Sequence, residues 1–343
     1  MPTHSEVDAL LVLSFGGPEG PDDVLPFLRN VTRGRGVPDE RLAVVAEHYA
    51  HFGGVSPINE HNRALIAALR SALPARGLDL PVYWGNRHWQ PYLADTVRQL
   101  RADGVRRALV FVTSATASYS SCRQYRDDLQ QAREAVGEGA PELVKLRHFF
   151  DHPGFVAANV DGVQTALASL PPGVRDHARL VFTAHSIPVS MNAVSGPAAD
   201  GLYARQQRET ARLVAEAVRG AGAEFDLVWQ SRSGPPQVPW LAPDVNDHLR
   251  ALAASGTSAV VVAPSGFVCD HMEVRWDLDN EARDTAAELG LAYARAATAG
   301  AHPAFVDAVC DLVAEQVSGE APKSLGRLGL CGLDCPRGCC PAR

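Results

Sequence analysis

The sequence predicts an α/β fold made of two similar halves, and two observations support this. Short apolar segments alternate with longer amphipathic ones, and the order of the segments recurs about half a chain later. Short, nearly all-apolar strands between helices are typical of a parallel sheet covered on both faces. The six clearest strand candidates are ALLVLSFGG, LPVYWGN and RALVFVTSA, then ARLVFTAHS, FDLVWQSRS and SAVVVAPSG.

The internal repeat defines the expected domains. LVLSFGGP at 11–18 resembles LVFTAHSIP at 180–188, and the segment 82–115 resembles 227–266. Ligands of open α/β sheets bind beyond the carboxyl ends of the strands, so matching strand ends are expected to face a shared cleft. We therefore expect one α/β half over 1–150, a second over 151–300, a helix at 301–318 and a cysteine-rich tail at 319–343.

Three segments have the periodicity of helices. NEHNRALIAALRSAL and YARQQRETARLVAEAVRGAG carry apolar residues at helical spacing, and the second ends at a glycine. The third, AFVDAVCDLVAEQV, places Cys310 in register with Val306, Val313 and Val317, which predicts a core position for this cysteine. This helix is expected to return to the first half and to bring the tail with it.

Composition excludes several classes of protein. A net charge of -7 and the absence of a dense basic patch argue against nucleic-acid binding. No apolar run approaches the roughly 18 residues of a membrane helix. The apolar run near the N-terminus is short and follows acidic residues, which indicates a first strand and not a signal peptide. We expect a cytoplasmic protein whose seven cysteines are thiols or metal ligands.

Ionisable residues follow the predicted strands of the second half. His185 follows one strand, and Asp270, His271 and Glu273 follow another. A histidine and a carboxylate at neighbouring strand ends can hold a transition metal or share proton removal. Taken singly, His185 could be a loop histidine bonded to backbone, and Glu273 could simply begin a helix, where a carboxylate suits the helix dipole.

Glu273, Asp277 and Glu281 are spaced four residues apart. On one helical face such carboxylates repel one another. The row is either a solvated face or a path for a cation or for protons.

The motifs together resemble one family. LLVLSFGGPEGPDDVLPFLRNVTRGRG, HFGGVSPIN, FTAHSIP and GFVCDHMEVRWDLDNE look like the ferrochelatases over about 320 residues, and most like cluster-bearing bacterial members of the coproporphyrin branch. The resemblance implies two Rossmann-like, chelatase-type domains, each with a parallel four-stranded sheet, facing a central cleft. It also implies a lyase, a metal chelatase that inserts Fe²⁺ into coproporphyrin III to give coproheme in heme biosynthesis.

The resemblance carries roles onto individual residues. His185 and Glu273 match the family's catalytic and metal-binding pair, and Asp277 and Glu281 would relay protons or metal. The resemblance also implies four substrate-binding residues, which are Ser56 in GGVSP, Tyr125 in SCRQYRDD, and Arg33 with Arg35 in TRGRG. Each has a plain structural alternative: a turn before Pro57 for Ser56, helix packing for Tyr125, and ordinary loop charges for the arginines.

Two features of the first loop bear on the substrate. Its segment 18–41 is mostly polar, which suits water-soluble coproporphyrin III better than membrane delivery of protoporphyrin IX. Some relatives carry a tyrosine ligand to iron here, but this chain has Glu19. Protoporphyrin IX remains an alternative substrate, a cobalt or nickel chelatase an alternative enzyme, and a non-catalytic porphyrin or heme carrier an alternative of another class.

The tail SLGRLGLCGLDCPRGCCPAR holds four cysteines within ten residues. A segment with so few apolar residues cannot build a core, but a metal could order it. Four thiolates suit a [2Fe–2S] cluster or zinc, and a disordered reactive tail is the alternative. The resemblance favours a [2Fe–2S] cluster held by Cys122, Cys331, Cys335 and Cys340, with Cys339 as the rival of Cys340. Cys269 is expected to be structural.

The expected partners are coproporphyrin III and ferrous iron, without nucleic acid or membrane insertion. A monomer with transient contacts to neighbouring heme-pathway enzymes is expected.

Overall fold

The protein contains two four-stranded parallel sheets, which confirms the predicted fold class. The computed structural model describes residues 6–333, 335–336 and 338–342. The first sheet has the strand order β2-β1-β3-β4 and the second β6-β5-β7-β8. The strands are β1 Ala9–Ser14, β2 Val82–Asn86, β3 Arg107–Val112, β4 Glu142–Lys145, β5 Arg179–His185, β6 Asp226–Gln230, β7 Ala259–Ala263 and β8 Ala292–Arg295.

Helices connect the strands and cover both faces of each sheet. They are α1 Pro21–Val31, α2 Asp39–His51, α3 Ile58–Ala75, α4 Leu93–Ala102, α5 Gln124–Val136, α6 Pro153–Ser169, α7 Pro172–Arg175, α8 Val189–Ala193, α9 Leu202–Arg219, α10 Val245–Ala254, α11 Met272–Trp276, α12 Arg283–Glu288 and α13 Pro303–Val317. Two π-helical segments, Tyr119–Arg123 and Asp277–Ala282, lie directly before α5 and α12. The three sequence-predicted helices correspond to α3, α9 and α13, and α9 ends at Gly220 as its sequence indicates.

The two halves repeat each other strand by strand. In each sheet the first strand lies between the second and the third, and the fourth lies outside the third. The strands are buried because helices pack on both sides, which explains their nearly continuous apolar sequences. Because all strands of a sheet are parallel, their carboxyl ends lie at the same end of the sheet.

The helices that follow β4 and β8 cross between the halves. α6 packs on β7, β8 and α9 of the second half, whereas α13 packs on α3 of the first half. The two crossing helices also contact each other, and both begin with a histidine whose side chain accepts a backbone N–H, at His152 and His302. A Cβ on Gly154 would lie 2.1 Å from the carbonyl oxygen of Ala304, so only glycine permits this approach. The contacts of α6 and α13 thus connect the two halves.

Ion pairs hold α13 in place. The Arg147 guanidinium donates two hydrogen bonds of 2.7 Å to the Glu315 carboxylate, and both side chains are about 95% buried. Asp311 pairs with Arg76 at 2.7 Å and with Lys323 at 2.8 Å. Removing one partner of a buried pair leaves an uncompensated charge, so these contacts fix which surface α13 can occupy. Cys310 is fully buried in the apolar cluster around α13, as its helical register predicts.

Within the described residues, no helix combines the length and the apolar character that crossing a bilayer demands.

Candidate active site and cysteine cluster

His185 is the last residue of β5, and backbone contacts on several sides hold it. The Ser186 N–H donates to the Gln230 carbonyl at 2.8 Å, and the Tyr203 hydroxyl donates to the His185 carbonyl at 2.7 Å. The ring atom Nδ1 is hydrogen-bonded to the Ser186 carbonyl. Because a carbonyl oxygen can only accept, Nδ1 carries the proton. When the ring is neutral, it therefore presents the lone pair of Nε2 to its surroundings.

Glu273 lies opposite this nitrogen. It occupies the first turn of α11, in the connection that follows β7, the neighbour of β5. Its Oε2 is 3.6 Å from His185 Nε2 and 4.0 Å from His271 Nδ1. The Glu273 side chain is 51% exposed and that of His185 33% exposed, so both can be reached from solvent. An imidazole nitrogen and a carboxylate thus converge on one accessible point.

Each member of the pair shifts the pKa of the other. Burial acts to lower the pKa of His185, but the charge and hydrogen bond of Glu273, with the Ser186 carbonyl, outweigh burial and raise it. Burial acts to raise the pKa of Glu273, but His185 and then His271 outweigh it and lower the pKa to about 2. The pair therefore favours a carboxylate facing an imidazole that holds a proton readily, and a divalent cation could replace that proton.

Asp277 lies one turn further along and has a different environment. Its carboxylate accepts hydrogen bonds from the Ser231 hydroxyl and, at 3.1 Å, from the Gln230 amide. Burial first, and then the charges of Glu273 and Glu281, raise the pKa of Asp277 to about 7, against the effect of these two donors. A carboxyl group with this pKa can take up and release a proton near neutral pH.

Glu281 is the outermost of the three acids. It is exposed, and it accepts a hydrogen bond of 3.0 Å from the indole of Trp276. The same indole stacks on the His48 ring of α2 with 3.8 Å between ring centroids. The row is not a purely α-helical face, since it runs from α11 into the π-helical segment Asp277–Ala282. Such segments often occur at functional sites.

The residues expected to touch the substrate from the first half are partly buried. Ser56 and Tyr125 are 4% and 5% exposed, and the Arg87 guanidinium lies 4.5 Å from the Tyr125 ring centroid. Arg33 and Arg35 are exposed in the turn after α1. Across the described ranges, no hydrogen bond, ion pair or ring contact joins these four residues to His185 or Glu273. Glu19 forms an ion pair with Arg63.

Sequence reasoning missed three residues that support the site. Gln230 and Ser231 hold Asp277, and Tyr203 holds the backbone of His185. Ser231 has a φ of 61°, an uncommon value for serine that is compatible with a site under constraint. The polar residues Gln230 and Ser231 at the end of β6, next to β5, could have been identified from the sequence by this position. No sequence feature identifies Tyr203, because it lies in an ordinary amphipathic helix.

The cysteines expected to bind a metal lie together away from this site. Cys122, Cys335, Cys339 and Cys340 line a cavity of about 130 Å³, and Cys331 packs against the same group of side chains. The sulfur atoms of the adjacent pair, Cys339 and Cys340, are 3.7 Å apart. As placed, however, the described residues include no group of three or more histidine, cysteine, aspartate or glutamate side chains with metal-holding geometry.

Two cations lie beside the thiols. The Arg126 guanidinium donates to the carbonyls of Gly332 and Leu333 at 2.6 and 2.9 Å, and Lys145 is buried close to Cys122. The neighbouring Cys331 thiol, and then Arg126, lower the pKa of Cys335 despite burial. The cluster therefore includes one thiol that ionises easily and cations that compensate thiolate charge.

Comparison with known proteins gives consistent results. The family described as Ferrochelatase matches residues 7–317. A coproporphyrin III ferrochelatase of Nocardia farcinica is 58% identical over 341 residues, covering 97% of this chain and 96% of the relative. One from Mycolicibacterium smegmatis is 60% identical over 317 residues, covering 92% of each.

Among solved structures, SirB from Bacillus subtilis with Fe³⁺ has a TM-score of 0.55 at 12% identity, covering 92% of this chain and 97% of that one. DR2241 from Deinococcus radiodurans, described as similar to chelatases, has a TM-score of 0.52 at 18% identity, covering 91% of this chain and 56% of that one. At these identities the likeness concerns the fold alone, and it agrees with the chelatase-type architecture.

The raised pKa of Asp277 predicts a pH dependence of stability. The folded chain keeps this proton up to about pH 7, whereas the unfolded chain loses it near 3.8. Unfolding between these values releases a proton, so the free energy of unfolding falls as pH rises. We therefore expect the free energy of unfolding of the native protein, minus that of Asp277→Asn, to fall between pH 3.8 and about 7 and to stay constant above pH 7.

Urea denaturation at half-unit pH steps measures this difference. Asp247→Asn, on an exposed aspartate of α10, controls for the general effect of removing a carboxylate. A difference between native protein and Asp277→Asn that stays constant across the range would contradict the assignment.

Proposed function

The chain belongs to the ferrochelatase family, and on this premise we propose that it inserts ferrous iron into coproporphyrin III, giving coproheme for heme biosynthesis. It is then a lyase, a metal chelatase. The observation that best supports this is the distance of 3.6 Å between His185 Nε2, which presents a lone pair, and the Glu273 carboxylate. An imidazole nitrogen and a carboxylate oxygen are suitable ligands for Fe²⁺ in transit.

The reaction needs two kinds of group. Fe²⁺ enters as two pyrrole N–H protons leave, so two protons are released and no oxidation state changes. In the proposal, His185 and Glu273 receive the iron at the porphyrin centre and take up the two pyrrole protons one after the other. Asp277, whose pKa is about 7, accepts protons from this pair and passes them to Glu281 and solvent. The row from Glu273 to Glu281 then serves as a relay.

Recognition of the porphyrin is assigned to the first half. Arg33, with Arg35, is exposed after α1, where guanidinium groups could pair with propionates. Ser56 and Tyr125 form part of the proposed wall of the porphyrin site, and their burial means that only a small part of each can touch the macrocycle. Four propionates make coproporphyrin III a substrate that dissolves without a membrane. This agrees with a polar first loop and with the cytoplasm as location.

We further propose that the cysteine cluster binds a [2Fe–2S] group through Cys122, Cys331, Cys335 and Cys340, with Cys339 as the alternative to Cys340. The chemistry of the side chains supports this, because three of the four thiols, Cys122, Cys335 and Cys340, line one cavity and Arg126 and Lys145 lie beside them, although the described residues as placed have no metal-holding geometry. Such a group exchanges single electrons, which iron insertion does not require. Its role in this protein is then to stabilise the tail or to sense iron and redox state. A monomer that contacts other heme-pathway enzymes transiently completes the proposal.

The activity is tested by mixing purified protein with Fe²⁺ and porphyrin under anaerobic conditions and following the absorption of the metalloporphyrin. We expect faster turnover with coproporphyrin III than with protoporphyrin IX. Loss of a group that binds metal and accepts a proton should lower kcat about 100-fold or more in His185→Ala. His177→Ala, on an exposed histidine outside the site, is the control.

Three outcomes would contradict the proposal. Faster turnover with protoporphyrin IX would identify that porphyrin, and not coproporphyrin III, as the preferred substrate. A shift of the Soret band without turnover would indicate a carrier, and full activity of His185→Ala would refute the mechanism.

The cluster is tested by the visible absorption, iron and sulfide content of protein purified anaerobically. We expect Cys122→Ser to lose the visible bands and to contain little iron or sulfide, because one of four thiolate ligands is missing. Cys310→Ala, which removes a buried thiol of the core, should keep them. Comparing Cys339→Ser with Cys340→Ser identifies the fourth ligand. Bands that persist in Cys122→Ser, or zinc in place of iron, would contradict the assignment.

A further inference from the structure

A chain of hydrogen bonds connects the cysteine cluster to His185. The Gly196 N–H donates to the Cys340 sulfur at 3.2 Å. The hydroxyl of the preceding residue, Ser195, accepts the Tyr203 N–H at 2.9 Å. The Tyr203 hydroxyl in turn donates to the His185 carbonyl at 2.7 Å. Ser195, Cys340 and Tyr203 are 0%, 2% and 4% exposed, so water does not compete for these bonds.

The segment that carries these bonds, residues 194–203, runs from the end of α8 into the first turn of α9 and is fixed by contacts at both of its ends. Ser195 donates to the Asn192 carbonyl at 2.6 Å. Gly196 has a φ of 87°, and a Cβ there would lie 2.6 Å from Leu202, so no other residue fits. Leu202 packs against Cys339 and Cys340. A displacement of the cysteine tail would therefore act on Gly196 and Leu202, the two positions of the segment that contact Cys339 or Cys340.

The bond to His185 is the last step of this path. It fixes the backbone of a residue whose ring must present Nε2 towards Glu273. A shift well below 1 Å would change the distance of 3.6 Å between the two groups. Reactions that depend on positioned groups lose rate when those groups move by such amounts.

We propose that Tyr203 is a positioning residue for His185, and that residues 194–203 transmit the state of the cysteine cluster to the metal-inserting site. The second part rests on the proposed function, because it links that function to the cluster. Tyr203 acts through His185 and touches no reacting atom. The proposal gives the cluster an influence on iron insertion that requires no electron transfer.

Tyr203→Phe isolates the contact, because the ring can keep its packing on Trp229, at 5.9 Å between centroids, while the hydroxyl is lost. Loss of one buried hydrogen bond that positions a catalytic group should lower kcat by about tenfold and leave KM for porphyrin and iron within about twofold. Ser195→Ala breaks the path one step earlier and should act in the same direction.

Thr210→Val is the matched control. It removes a buried hydroxyl of the same helix that donates to the Phe150 carbonyl at 2.8 Å, a bond that leads away from His185. It should lower the thermal midpoint as much as Tyr203→Phe does and leave kcat unchanged. Equal losses of kcat in Thr210→Val and Tyr203→Phe would overturn the proposal, because the effect would then be general destabilisation.

A double-mutant cycle tests the connection to the tail. Cys340→Ala should lower kcat in the native background and cost nothing further in Tyr203→Phe, since the path is already broken. Additive losses would overturn the connection.

Amide hydrogen exchange across 183–203, measured without substrate, should rise in Tyr203→Phe, Ser195→Ala and Cys340→Ala. Unchanged exchange would refute the path. This readout needs no turnover, so it tests the path independently of the chelatase activity. Failure of the chelatase proposal would instead appear as absence of activity in the native protein.

Discussion

The contact between His185 and Glu273 depends on how two neighbouring strands end. β5 and β7 are adjacent and parallel, with Phe182 opposite Ala263. β5 continues for three residues beyond this pair to His185, whereas the chain leaves β7 and returns in α11 to place Glu273 beside the imidazole. The Nε2-to-Oε2 distance of 3.6 Å is therefore set by sheet register and by one connection. The effects of His185 and Glu273 on each other's pKa follow from this placement, and the charge of Glu273 adds to the burial that raises the pKa of Asp277.

The packing of α6 and α13 connects the two halves. α6 packs on β7, β8 and α9, α13 packs on α3, and the two helices contact each other, so the halves share apolar packing. The connections that follow the strands also contact each other across the halves, since Met272 of α11 packs with Phe27 of α1 and Tyr49 of α2. A site built across such an interface gains preorganisation from both cores.

Much of the architecture was predictable from sequence, and the reasons are local. Apolar runs and their repetition identify six of the eight strands, and strand adjacency brings His185 and Glu273 into one region. The outer strands β4 and β8, with the sequences ELVK and AYAR, were missed because each has four residues and no continuous apolar run. The π-helical segment at Asp277–Ala282 was not predictable, because the letters have an ordinary helical spacing. Nor were the donors to Asp277, since they depend on side-chain directions after β6. Pattern alone also leaves Cys339 and Cys340 equivalent, as adjacent residues of one tail.

The most direct test of the central claim is a crystal structure of the native protein with Co²⁺, an oxygen-stable substitute for Fe²⁺, located by anomalous scattering. The account predicts one ion within coordination distance of both His185 Nε2 and the Glu273 carboxylate, and its loss in Glu273→Gln. Separate ions on the two residues, or an ion bound elsewhere with this pair left free, would contradict it.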